Sequence, residues 1–316
     1  MVDSAQSTFE VFAGPLILFI AIALMLFGVF TAQCYFYWFA YESKDSKMLR
    51  YGVLSLWVFE ALHTSLCLHI VYSYFIINFG DVAGGIGRVI WSAPATVMLE
   101  MAIVTISESF YIMRIYRLSG SVLVAAIPTI LLVPRVALGF IVSGYLCVID
   151  TWVEFHAHHV SQDVLNASLI LAVITDVSIA GLLIFYLRHR RPQYARTKHI
   201  IQRLQRNTVN NGALTVILSI VILASLHALP NSLLFAGMIE TISKVYANSV
   251  IATLNARDSI VRSGTSNVGD GFNSVELSVR QHSALQHRTD EELPEHDRKV
   301  VGISAAEDNA AGPFTA

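Results

Sequence analysis

The sequence predicts an all-α membrane protein: a seven-transmembrane helix bundle followed by a disordered cytosolic C-terminal tail. Three observations carry that expectation. Hydrophobic residues make up 54% of the 316-residue chain and charged residues 14%, whereas soluble domains are nearer a quarter charged. Apolar runs long enough to cross a bilayer recur along it, and mean hydropathy is +0.58. Basic residues, finally, are confined almost wholly to alternate connections between those runs.

The expected elements follow in order. Residues 1–14 form a short extracellular N-terminus; acidic Asp3 and Glu10, with no basic region, argue against a secretory signal. The first apolar run, Val11 to Tyr41, holds no charge over 31 residues. That is ample for a span, which needs about 20. The seven-helix transmembrane domain covers 15–256, with spans near 15–39, 51–77, 91–113, 121–148, 164–187, 209–229 and 231–255. The last two are separated only at LHALPNS, where Pro230-Asn231 signals a turn. From 257 to 316 the composition turns to Ser, Asn, Asp, Glu, Gly and His without periodicity, the signature of a disordered tail.

Orientation follows from the basic residues. The connections after spans one, three and five carry twelve Lys and Arg, seven of them in the fifth, and the other connections carry Arg88 alone. Positive charge stays on the cytosolic side. The N-terminus is therefore expected outside and the C-terminus in the cytosol, with the plasma membrane preferred over internal membranes. The expected partners are the lipid bilayer and a cytosolic protein for the 188–208 basic loop and the tail. A net charge of −2 gives no reason to expect nucleic acid.

Three stretches carry a family resemblance: WVFEALHTSLCLHIVYSYFIINFG (57–80), RIYRLSG (114–120) and LPNSLLFAGMIETISKVYANSVIATLNAR (229–257). They resemble a family of multi-span membrane proteins from mushroom-forming (basidiomycete-type) fungi, known only as a domain of unknown function. The resemblance covers roughly 14–257, and SVIATLNAR is its most specific part. It implies a fungal integral membrane protein with a variable cytosolic tail. It brings no catalytic residues with it.

The functional signal is charge inside hydrocarbon. Glu60 lies about 15 Å into the second span at 1.5 Å per residue, near the midplane. His63 shares its face three residues on, whereas His69 points to the opposite side. Glu100, Arg135, Asp176, Glu240 and Lys244 sit at similar depth in other spans, with Glu108 lower on the third. Charges at such depth cost at least about 2.5–3.5 kcal/mol and face a bundle interior or cavity. These seven residues, Glu60 to Lys244, are expected either to lock the bundle as ion pairs or to form a ligand or proton site. Glu240 and Lys244, four apart with the acid first, are expected to pair, with Glu60 or Asp176 as further partners.

Other chemistry is weaker. Glu60-x-x-His63 is half of a di-iron pattern whose second half is missing. Glu154, His156, His158 and His159 have the residue types of a metal site, although surface histidines beside acids are more often solvated. Cys34, Cys67 and Cys147 all fall in apolar stretches and read as packed thiols. Asn166-Ala167-Ser168 is a glycosylation sequon close to the fifth span. GGIG at 84–87 lacks the setting of a nucleotide loop, no nucleophilic triad is legible, and no cofactor is called for. The expectation is a non-enzymatic, receptor-like seven-span sensor, with a transporter or proton-coupled carrier as the alternative. Span three lacks an acid-Arg-Tyr triplet and span seven an Asn-Pro-x-x-Tyr turn, which puts G-protein coupling in doubt.

Overall fold

The computed structural model describes residues 2–41, 45–78, 87–189, 195–229 and 232–255, with side chains omitted for 2–13, 41 and 195–211. The expected tail over 257–316, residues 190–194 of the 188–208 basic loop and three of the GGIG residues lie outside this description. Eight helices occur among the described residues: α1 Val2–Tyr41, α2 Lys47–Tyr72, α3 Ser92–Ser119, α4 Val122–Val148, α5 Trp152–Ala157, α6 His159–His189, α7 Ala195–Ala228 and α8 Leu234–Asn255. The fold is all-α. Two antiparallel backbone bonds around Arg88 and Thr151 form an isolated bridge.

Local chemistry sets several boundaries. The backbone amides of Leu49 and Arg50 close on the Ser46 carbonyl at the start of α2. Its last turn widens into a π-helical turn over Ser73–Ile77. Pro94 sits in the first turn of α3, where its missing N–H is not needed. Gly120 ends that helix with φ 69°, donating to the Tyr116 carbonyl; a residue with a Cβ would be strained there. Thr151 caps α5 by accepting from the Glu154 amide. The sequon at Asn166 falls inside α6, with Ser168 buried.

Five helical stretches are long and apolar enough to cross a membrane: Gly14–Ala40, Lys47–Ile77, Ser92–Ser119, Val122–Val148 and His159–His189. Their outward side chains are apolar, as at Leu123 (81% exposed), Phe39 (75%) and Met25 (71%). The interior, by contrast, holds Glu60, His63, Glu100, Glu108, Arg135, Asp176, Glu240 and Lys244. A soluble core is the reverse of this. Apolar side chains outside and polar groups turned inward is the arrangement a bilayer demands. The chain is a multi-pass integral membrane protein.

Each helix packs on the next, α1 on α2, α2 on α3, α3 on α4, α4 on α6, α6 on α7 and α7 on α8, and α8 returns to α1. Helix α8 also touches α2 and α3, and sixteen of its 22 residues are buried. That placement shields α8 from lipid, so it tolerates Glu240, Lys244 and Asn248 at a hydropathy too low for a lipid-facing span. The starts of α3, α6 and α8 meet the end of α4 and all of α5 at one end of the bundle. We call this the α5 end, and the opposite one, with Lys47, Arg114, Arg117 and Arg188, the basic end.

The α1–α8 contact is the most extensive. A Cβ built on Gly237 would lie 2.9 Å from Phe19 Cβ and 3.1 Å from Leu16 Cα. The second is backbone and cannot rotate away. Gly237→Val is therefore expected to push α1 off α8 and cost about 1–3 kcal/mol, as overpacking does. A fall in detergent-solubilised melting temperature measures it, and an unchanged value would show that α1 shifts freely.

Candidate functional site

Helix α2 runs toward the α5 end and α8 runs away from it, so successive turns of the two helices match in reverse. Lys244 on α8 lies level with Glu60 and His63 on α2. Its ammonium ion-pairs with the Glu60 carboxylate and lies 3.1 Å from His63 Nδ1. Donation by lysine makes Nδ1 the acceptor, which assigns the His63 proton to Nε2. That nitrogen faces Glu240 Oε2 at 3.4 Å. One turn nearer the α5 end, Glu240 accepts from Thr96 Oγ1 at 2.7 Å and from Cys67 Sγ at 3.1 Å. Four helix residues beyond His63, Cys67 also contacts that imidazole at 3.4 Å.

The structure thus corrects the expected Glu240–Lys244 pair. Among the described residues Lys244 pairs with Glu60, and Glu240 is held by α2 and α3 instead. The reason is the register: the lysine stem reaches across to α2 at its own level, while Glu240 sits a turn higher, opposite Cys67 and Thr96.

A second group forms around α4. Arg135 follows Pro134 and is 3% exposed. It ion-pairs with Glu108 of α3 and donates from Nη2 to the Tyr246 hydroxyl at 3.0 Å. That hydroxyl donates in turn to Asp176 Oδ2 of α6 at 2.6 Å. Tyr246 is two residues from Lys244 and so faces the other side of α8. Six of the seven sequence-predicted residues therefore fall into two groups, one per cation, with α8 contributing to both. Sequence reasoning missed Tyr246, Thr96 and Cys67. An uncharged hydroxyl or thiol in an apolar run gives no signal until its partner is known.

Glu100 belongs to neither group. It makes no hydrogen bond or ion pair among the described residues, and it lines a cavity of about 80 Å³ together with Arg135 and Glu240. The remaining wall is mostly apolar, with Val97, Leu146, Leu165 and Ile222 among its residues. Toward the α5 end the wall is aromatic. Trp152 packs edge-on against Phe155 and Phe235, and its indole donates to the Tyr74 hydroxyl at 3.0 Å. Tyr74 in turn donates to the Arg88 carbonyl, so α5 is clipped to the end of α2.

The four weaker metal candidates are not brought together. His156 packs edge-on against Phe235 at 5.2 Å, where burial holds its imidazole below the ordinary histidine range. His158 ends α5 and accepts from the Ser161 amide at Nδ1. His159 opens α6, and Glu154 sits in the first turn of α5. The grouping the described residues do contain is His63, Cys67 and Glu240, whose ligand-type atoms lie within 4.8 Å of one another. Cys67 already donates to Glu240 and His63 Nδ1 accepts from Lys244, whose cation opposes a second positive charge beside the imidazole. We read the trio as part of the polar network. His69, on the far face of α2, contacts Ser92 Oγ at 3.0 Å and stacks near Trp91.

No curated protein and no solved structure matches the chain. Over residues 172–259, which take in most of α6, all of α7 and α8, and with them Asp176, Glu240, Lys244 and Tyr246, the chain is similar to a family of unknown function, DUF6534.

Proposed function

We propose that the protein is a seven-span sensor of receptor-like type, not an enzyme, with its N-terminus outside, its C-terminus in the cytosol and the plasma membrane as its site. The proposal keeps the fungal origin that SVIATLNAR suggested. Helices α7 and α8 then cross the bilayer as spans six and seven, and the α5 end faces outward. One observation carries the reading. Among the intramembrane acids Glu100 alone is left without a described partner, and it faces a largely apolar cavity below the aromatic α5 end. An apolar cavity with a few convergent polar groups is the default binding site. The Glu60–Lys244 and Glu108–Arg135 pairs, with Thr96 and Cys67 on Glu240 and Tyr246 on Asp176, hold the remaining acids within the bundle.

A cavity of about 80 Å³ is smaller than the roughly 150 Å³ that accepts benzene. It suits a compact molecule with one polar head. Thermal shift with isobutylamine and isobutanol tests this. Stabilisation of the wild type by the amine, lost in Glu100→Gln, is the expected result. Equal shifts in both proteins would remove Glu100 from the site. The carrier alternative is favoured by the same intramembrane acids, so liposomes loaded with a pH-sensitive dye supply the second arm. A sustained proton flux through the wild type would replace the sensor reading with a carrier.

A further inference from the structure

At the basic end, α2, α3 and α8 diverge around a cavity of about 420 Å³. Its wall is largely apolar, with Leu49, Val53, Leu56, Ile106 and Phe110, and it also carries Arg114 and Arg117. Arg114 is the anomaly. Both terminal guanidinium nitrogens are shut off from solvent and have no hydrogen-bond partner among the described residues. No acidic residue is among its described lining residues. Thr253 Oγ1, a further lining group, is likewise buried without a partner. Arg135 shows the contrast, since the same side chain deeper in the bundle is matched by Glu108 and Tyr246.

A desolvated guanidinium with no counter-charge is strongly unfavourable, and its planar fork fits the oxygens of a phosphate. Arg117, one turn on and exposed, extends the positive surface to the cavity mouth. We propose that this cavity binds an anionic phospholipid, with its phosphate on Arg117 and on the Arg114 guanidinium once that side chain turns from its enclosed position into the cavity, and one acyl chain along Leu49, Val53, Leu56 and Phe110. The apolar wall selects the lipid over a free anion, because a bare phosphate would leave that surface unused. Basic pockets between spans at the cytosolic leaflet meet lipids of this charge. The site lies at the opposite end from the Glu100 cavity and does not depend on what binds there.

The test uses the full chain in nanodiscs of dioleoylphosphatidylcholine with and without dioleoylphosphatidylglycerol, read by native mass spectrometry and thermal shift. The wild type is expected to retain one phosphatidylglycerol through delipidation and to melt higher with it. Arg114→Gln should reduce that retention about tenfold, the equivalent of roughly 1.4 kcal/mol. Val53→Trp, which fills the apolar part and keeps both arginines, should reduce it as well. If Arg114→Gln does not fold, Arg114→Lys takes its place, keeping the charge but losing the bidentate fork. Retention equal to wild type in the arginine variant and in Val53→Trp would overturn the proposal. So would stabilisation by inorganic phosphate in pure phosphatidylcholine equal to that by phosphatidylglycerol, since the acyl chain would then contribute nothing.

Discussion

Lys244→Met is expected to be the most damaging single substitution in the bundle. It leaves the Glu60 carboxylate without its cation at a site where neither side chain is more than 1% exposed. Removing one partner from a buried ion pair costs about 3–5 kcal/mol, because the other charge stays desolvated and unmatched. In a domain of this size each kcal/mol moves the melting temperature by about 2–4 °C. A loss on the order of 10 °C in detergent is the expected readout. Adding Glu60→Gln should recover a large part of that loss, whereas adding Glu240→Gln should not. The second comparison separates the observed pairing from the one that helix spacing suggests. If Glu240→Gln rescues and Glu60→Gln does not, the register between α2 and α8 is wrong.

Arg135→Leu ranks next. It strips the cation from Glu108 and a donor from the Tyr246 hydroxyl, which in turn orders Asp176. The expected loss is again about 3–5 kcal/mol, with partial recovery in Arg135→Leu with Glu108→Leu. Tyr246→Phe keeps the ring and removes only the bridge, so about 1–3 kcal/mol is expected from the acceptor left unmet. The two groups share no hydrogen bond or ion pair among the described residues. Combined substitutions drawn from different groups should then add within about 0.3–0.5 kcal/mol, and those within a group should not. Strong coupling between Lys244→Met and Arg135→Leu would show that the two groups act as one.

The site was legible in the sequence as a set of residues and not as a set of contacts. Glu60, His63, Glu100, Arg135, Asp176, Glu240 and Lys244 stand out because charge in an apolar run is costly wherever the run folds, and all seven are buried or line a cavity inside the bundle. Their partners were legible only as options, with Glu60 or Asp176 offered beside the Glu240–Lys244 pair, and the structure takes Glu60. The i, i+4 spacing of Glu240 and Lys244 shows only that they could meet on one helix. Against that local option stood Glu60 on α2, at the level of Lys244, and Thr96 and Cys67, at the level of Glu240. Arg114 shows the same limit. At the end of an apolar run it reads as an ordinary inner-side basic residue, and its lack of a partner among the described residues appears only once α2, α3 and α8 are placed around it.

By itself the sequence determined the all-helical class, the apolar helices of spanning length and the ionisable residues they enclose. Those properties depend on run length, composition and rise per residue, which belong to each segment alone. Only the tertiary structure decided which cation meets which acid, that Tyr246, Thr96 and Cys67 complete the two groups, and that Glu100 is left facing a cavity. Such choices depend on the register between helices. That register is set by close packing such as Gly237 against the α1 backbone, a contact between residues more than two hundred positions apart that no local pattern encodes.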